Sequence, residues 1–189
     1  SDPAFHPRPD NEVEAFRTTK NLNRPFVLFV GTLEPRKNVD VLINAFGSLV
    51  RENKFSGDLV IVGGTGWGTR AIDSALANSP VRDRIKIIGY VNQSELPSWY
   101  TAATLVVYPS SYEGFGIPVL EAMASGTPVI TSNQSSLPEV GGNASLTIEP
   151  RDALQLSDAM TKVLASRSQR EEMRSRGLTQ AQRFDWGNH

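Results

Sequence analysis

Cysteine is absent from the 189 residues, so no disulfide can frame the fold and no thiolate is on hand as nucleophile or metal ligand. Histidine is nearly absent: His6 and His189 stand near opposite ends, which removes a histidine-built metal site and a histidine-centred triad from the candidate chemistries. No apolar run approaches the roughly 20 residues that a membrane-crossing helix needs. No charged opening followed by an apolar core marks a secretory signal. The Asn-x-Ser matches at Asn92, Asn133 and Asn143 therefore read as chance polar loops, not glycosylation acceptors. Neither sign of charge dominates: 19 Lys and Arg against 20 Asp and Glu leave a net charge of −1. Nothing in that balance pulls the chain towards nucleic acid or an acidic membrane.

What is present suits one globular domain, 39% hydrophobic and 21% charged, long enough to bury a sizeable core. Residues 1–23 are polar and carry Pro3, Pro7 and Pro9, so they read as a linker and lead-in with a short helix over 10–18. Residues 24–189 read as the folded domain. Strand-like apolar runs recur at 26–30, 58–62, 84–89, 105–108, 128–131 and 144–148. Helical spacing fills the intervals. Asn38 or Asp40 opens a helix with Val39, Leu42, Ile43, Phe46 and Leu49 on one face. Another covers 69–77, a third follows the cap candidates Asn92 and Ser94 and carries Trp99 as a core aromatic, and a fourth begins at Pro118. Residues 132–139 read as a polar loop with a short helix at most. Beyond 149–152, a helix of about fifteen residues turns Leu154, Leu156, Met160 and Leu164 partly inward, and a last helix over 168–184 exposes an Arg and Glu face. Strands alternating with helices predict an α/β, Rossmann-like three-layer domain with a mainly parallel sheet of about six strands.

The stretch that organises the chain is residues 109–123. The apolar run 105–108 reads as a buried strand, Gly114 and Gly116 make the turn after it, and Pro118 suits the first turn of a helix. A helix start offers unpaired N–H groups and the positive end of a dipole, which suit a phosphate. Glu113 and Glu121 bracket this turn and can accept hydrogen bonds from sugar or ribose hydroxyls. Taken singly, each is as well explained by a helix cap or a solvated surface Glu; with the glycines and Pro118 the ligand reading prevails. Arg36 and Lys37 follow the first strand, where adjacent cations can meet a diphosphate. Gly63, Gly64, Gly66 and Gly68 follow the second; tight turns account for one or two of them. Gly66, Gly68 and Ala71 fit a permissive dinucleotide fingerprint, but no acidic residue ends the next strand, so a nicotinamide site is set aside. Tyr90 and Val91 follow the third strand. All these positions fall at the carboxyl ends of strands, where open α/β sheets bind ligands.

Residues Glu113 to Glu121, their continuation through Ala122-Met123-Ala124-Ser125-Gly126-Thr127-Pro128-Val129-Ile130, and the upstream Gly31-Thr32-Leu33-Glu34-Pro35-Arg36-Lys37-Asn38 carry a resemblance. Together they are similar to the glutamate-x7-glutamate region of retaining glycosyltransferases of the GT-B fold, glycosyltransferase family 4 (group 1). The resemblance runs from about Phe5 to Trp186 and covers only the C-terminal, donor-binding half of that fold. Asp2-Pro3-Ala4-Phe5-His6-Pro7 resembles the segment after the interdomain linker, so the chain is expected to be part of a longer protein. The resemblance implies a nucleotide-diphosphate sugar donor, UDP-hexose such as UDP-glucose first and GDP-mannose next. It implies a saccharide or lipid-linked acceptor held through the missing N-terminal domain, in polysaccharide synthesis.

By the same resemblance Lys37 with Arg36 and Glu113 are the catalytic positions. The cations stabilise the diphosphate and Glu113 holds hydroxyls of the transferred sugar. Glu121 holds the ribose, and the base lies along the backbone of Tyr90 and Val91. Gly31, Thr32, Gly64, Thr65, Ser110, Gly114, Phe115, Gly116, Ile117, Val119 and Leu120 complete the implied donor-binding set. Thr32 departs from the family, many of whose members carry arginine there, and Arg36 is its substitute. No cofactor and no metal are implied, since the cation pair can do the metal's work. The expected location is cytoplasmic, with any peripheral attachment to the membrane carried by the full-length protein. A glycosidase is set aside, because nothing places the two carboxylates across a scissile bond. A GT-B-fold sugar-nucleotide epimerase and a non-catalytic nucleotide-sugar-binding module stay open.

Overall fold

The apolar run at 26–30 is the first strand, β1 (Phe26–Val30), with all five residues buried. It pairs in parallel with β2 (Asp58–Val62) on one side and β4 (Leu105–Tyr108) on the other. The computed structural model describes residues 2–184, so Trp186, where the family resemblance ends, and His189 lie outside the described residues. Strands β3 (Ile85–Gly89), β5 (Val129–Ser132) and β6 (Leu146–Ile148) complete a six-stranded sheet in the order β3-β2-β1-β4-β5-β6. Every pairing is parallel. The four inner strands are buried throughout and mostly Val, Ile, Leu and aromatic because helices cover both faces; the exceptions are Asp58 at the start of β2 and Thr131 and Ser132 at the end of β5. At the edge, β3 exposes Ile87 and Ile88. Strand order reverses at β1 and β4, whose carboxyl ends open a crevice.

On one face α2 (Val39–Arg51) contacts α3 (Arg70–Asn78) and the late helix α7 (Ala153–Ala165). The other face carries α1 (Asp10–Thr19), α4 (Leu96–Ala102), α5 (Ile117–Ala124), α6 (Leu137–Gly141) and α8 (Arg167–Gln182), joined by contacts between α1 and α4, α4 and α5, and α5 and α8. Trp99 is fully buried, as its place in the sequence suggests. Residues 2–23 lie along this face. Phe5 sets its ring 6.0 Å from Tyr100, and Phe16 meets the edge of Trp99 at 5.0 Å.

Two expectations are corrected here. Leu154 is 78% exposed: two residues before Leu156, it falls on the opposite side of α7 from Leu156, Met160 and Val163, which are buried. Asn38 does precede α2 but does not cap it. Its φ is +56, and its amide instead donates to the carbonyl of Pro109 at 2.9 Å and to Ser111 Oγ at 2.8 Å. A capping side chain is thus spent tying the loop after β1 to the loop after β4. Asp152 does act as a cap, accepting from the amide of Gln155 at 2.9 Å.

Candidate functional site

The site is built from loops at the carboxyl ends of the strands, and glycine decides how closely they approach. Gly63, with φ +143, lies so near Gly31 that an added Cβ would stand 1.9 Å from the Gly31 carbonyl oxygen. Beyond that crossing the loops after β1 and β2 zip together. The amide of Leu33 donates to the carbonyl of Gly64 at 3.0 Å and the amide of Gly66 to that of Leu33 at 3.1 Å. A Cβ on Gly66 would stand 2.6 Å from the Leu33 oxygen, and one on Gly68 would stand 2.8 Å from the Pro35 ring. Loop packing therefore explains three of the four glycines, more than sequence reasoning allowed. Gly64 alone in this cluster has nothing within 4 Å of its missing Cβ.

Lys37 closes the 3-10 turn Pro35–Lys37 and points into the crevice, buried with 6% exposure. Its Nζ donates to Tyr108 Oη at 2.7 Å and to Glu113 Oε1 in a short ion pair, and it lies 5.0 Å from the centre of the Tyr108 ring. Arg36 is more exposed. Its Nε donates to Glu34 Oε2 at 2.9 Å, its Nη1 donates to the Tyr112 carbonyl at 2.9 Å, and Nη1 also lies 3.3 Å from Glu113 Oε1. The bond to Glu34 is the main reason its proton is held more tightly than usual, with Glu113 adding to it. Burial first, then the Glu113 charge, pushes the Tyr108 hydroxyl well above the ordinary range, so it stays a neutral partner for Lys37. The main chain of Glu113 is fixed from β5: its carbonyl accepts from Ser135 Oγ at 2.7 Å and Ser136 Oγ at 3.2 Å.

Helix α5 begins after Gly116, whose φ of +79 and close approach to Leu137 Cδ2 favour glycine. Pro118 in the first turn has no N–H to leave unpaired. The amides of Val119 and Leu120 both turn back to the Gly116 carbonyl, at 3.0 and 3.4 Å, and both side chains are buried. The amides of the Gly114–Ile117 turn are thus the ones at the mouth of the helix. Glu121, one turn inside, accepts from Tyr100 Oη at 3.3 Å and lines a cavity of about 280 Å³ with Phe5, Gln93, Ile117 and Leu120. Burial raises its carboxyl to about 7, against the lowering effect of the Tyr100 hydrogen bond.

That raised value predicts a pH-dependent stability. The folded carboxyl titrates near 7 and an unfolded glutamate near 4.5, so between these values the folded state holds a proton the unfolded state lacks. Stability contributed by Glu121 is then present below about 4.5 and lost as pH rises through about 7. Glu121→Gln imitates the protonated form. It is expected to raise stability at pH 8 by roughly 2 kcal/mol and to change little at pH 4.5, read from melts across that range.

The expected positions fall in distinct parts of this crevice. Lys37, Arg36 and Glu113 meet directly. Gly31, Thr32, Gly64 and Thr65 line the zipped loops, with both threonines exposed. Tyr90 is 76% exposed and Val91 half-buried at the end of β3, so Tyr90 is not a core aromatic. Ser110 is fully buried, and its carbonyl accepts from Ser132 Oγ at 2.5 Å. Phe115 lies 5.9 Å from Phe184, and Ile117 is half-exposed beside it. Sequence reasoning missed Tyr108, Tyr100 and the Asn38 tie; by resemblance the family's donor cleft is lined by the loop at 132–139, but Ser135 and Ser136 were not singled out within it. Tyr108 carried a usable signal, since a tyrosine ending a buried strand must find a partner for its hydroxyl. Among the described residues no three carboxylate or histidine side chains gather as a metal site.

A family model described as glycosyl transferases group 1 matches residues 10–180. The chain is 41% identical over 163 residues to the O-antigen chain mannosyltransferase B of Escherichia coli, covering 86% of this chain and 43% of that protein. A sucrose-phosphate synthase from Thermosynechococcus elongatus superposes with a TM-score of 0.85 at 30% identity, over 97% of this chain and 46% of that one. The C-terminal domain of a group 1 glycosyl transferase from Francisella tularensis superposes at 0.80 over 96% of this chain and 95% of that domain; at 22% identity this likeness concerns the fold. The chain spans less than half the length of the Escherichia coli relative. By its six-stranded parallel sheet and a match over most of its length, the chain belongs to the group 1 glycosyl transferases.

Proposed function

We propose that this chain is the donor-binding domain of a retaining, metal-independent hexosyltransferase of glycosyltransferase family 4, acting in polysaccharide synthesis. One observation carries the reading. A buried lysine, Lys37, stands at the crossing of the loops after β1 and β4, in contact with the first of two glutamates that bracket a helix start. A cation in that setting favours charge developing on a diphosphate leaving group, and it works best in a water-poor crevice. The Gly114–Ile117 amides supply further donors to the same phosphates. Glu121 accepts from ribose hydroxyls beside the cavity at α5, the base lies along Tyr90 and Val91, and Glu113 accepts from the transferred sugar. Thr32, Gly64 and Thr65 wall the diphosphate side. The acceptor, a saccharide or a lipid-linked glycan, is bound chiefly by an N-terminal domain beyond this chain. The folded unit at 24–189 with its lead-in at 1–23 is the boundary we propose for the donor half.

The mannosyltransferase relative bears on the sugar. It moves GDP-mannose ahead of the UDP-hexose that sequence alone put first. The test is thermal stabilisation by GDP, UDP and their hexose conjugates in metal-free buffer. A ligand at a hundredfold excess over its Kd adds about 2.7 kcal/mol, a rise of roughly 5–10 °C for a chain this size. A rise with guanosine ligands supports mannose, a rise with uridine ligands restores glucose, and no rise with any of them counts against the donor reading. Retention is tested on the full-length protein, from the anomeric configuration of its product.

A further inference from the structure

The side chains of Glu113 and Lys37 are each about nine-tenths buried, and their charged ends are bonded to each other. Arg36 Nη1 faces the same carboxylate oxygen at 3.3 Å. Glu113 is therefore the anion that satisfies Lys37. Its main chain is pinned by Ser135 and Ser136, and the neighbouring Ser111 amide donates to the Arg36 carbonyl at 2.8 Å. The loop can stay in place while the carboxylate swings. Tyr108 Oη, 2.7 Å from Lys37 Nζ, keeps the ammonium where it is.

Tyr108 and Glu113 take two of the three donors on Lys37, so a diphosphate that comes to the third is set against the Glu113 carboxylate, and repulsion between the two anions drives the carboxylate off. A buried carboxylate left with only the longer Arg36 contact at 3.3 Å is costly, so displacement is favourable only if Glu113 gains a further partner. A bare nucleoside diphosphate ends at its terminal phosphate and brings none. A sugar attached to that phosphate places hydroxyl donors immediately beyond it. We propose that Glu113 is an exchangeable counter-ion that makes this site distinguish sugar-bearing nucleoside diphosphates from the bare diphosphate left after transfer. With a sugar present, Glu113 trades Lys37 for sugar hydroxyls. Once the sugar has gone, Glu113 returns to Lys37 and expels the nucleotide. The inference rests on the donor reading above and adds to it the discrimination between donor and product.

Calorimetric titration of this chain tests it, with GDP against GDP-mannose and UDP against UDP-glucose as probes in metal-free buffer. Glu113→Gln keeps the shape and an acceptor for Lys37 but removes the competing charge. It is expected to bind the bare diphosphate about tenfold tighter and the sugar conjugate about tenfold weaker, opposite signs in one variant. In a Lys37→Met background the same substitution is expected to lose its tightening effect on the bare diphosphate. Glu113→Asp, which retains the charge on a shorter stem and loosens its hold on Lys37, is expected to tighten bare diphosphate as well and guards against a misfolded glutamine variant. Equal weakening of both ligands by Glu113→Gln, or no change in either, overturns the exchange while leaving the donor reading intact. Failure of the wild-type chain to bind any of the four overturns the donor reading itself.

Discussion

Lys37→Met in the full-length protein is expected to lower the rate of sugar transfer by about a thousandfold, the scale seen when one preorganised donor to a developing anion is removed. Methionine nearly preserves the stem, so packing against the Tyr108 ring is retained and the loss falls on the charge. That charge is worth most where water is excluded, and Lys37 is only 6% exposed. Lys37→Arg is expected to restore little. The guanidinium is wider and planar, while the buried site offers it one carboxylate oxygen and one phenol. Arg36→Met should cost about tenfold, because its guanidinium is already engaged by Glu34 and the Tyr112 carbonyl at the rim. Single-turnover transfer, measured beside donor affinity, separates the two positions. Retention of more than about a tenth of the rate in Lys37→Met would remove Lys37 from the chemistry. The double variant Lys37→Met/Glu113→Gln controls for the carboxylate left unpaired in the single one.

How far this site was legible in the sequence follows from the range of the interactions that build it. The strands at 26–30 and 58–62 were readable because a strand buried on both faces is a nearly continuous apolar run, broken here only by Asp58 at the start of β2. The placement of Lys37, Glu113 and Glu121 around the crevice was readable because each lies within a few residues of a strand end or helix start. Tyr108 was not assigned, although it touches Lys37, because the contact joins residues 71 apart and depends on β1 and β4 being neighbours. The Asn38 tie is hidden for the same reason: Asn38 opens α2 as its spacing suggests, but its side-chain partners at Pro109 and Ser111 come from another loop. Leu154 shows the converse error. Residues two apart lie about 200° from each other round a helix, so Leu154 and Leu156 could not both face inward, and the spacing itself puts Leu154 outside.

The glycine loop gives the sharpest separation of fold from function, through two adjacent residues. Gly63→Ala is expected to destabilise the chain by about 4 kcal/mol, combining overpacking against backbone with a strained φ. The added Cβ would stand 1.9 Å from the Gly31 oxygen and 2.6 Å from its carbon, and neither can withdraw. The Gly31 amide is held by the Val62 carbonyl at 2.9 Å, and the Gly63 amide by that of Gly89 at 2.8 Å. For a chain of this size such a loss lowers Tm by roughly 8–16 °C, and it is a large part of the 5–15 kcal/mol that ordinarily holds a domain together. Gly64→Ala puts the same methyl one residue later, where nothing lies within 4 Å. Its stability is expected to stay within about 1 kcal/mol of the wild type. Under the donor reading that open space is where the nucleotide diphosphate passes, so Gly64→Ala should weaken nucleotide binding by about tenfold, or roughly 1.4 kcal/mol. Thermal melts and nucleotide titrations of the two variants decide the matter. If Gly64→Ala binds nucleotide as well as the wild type does, the zipped loop is scaffold only, and the diphosphate lies wholly against Lys37 and the mouth of α5.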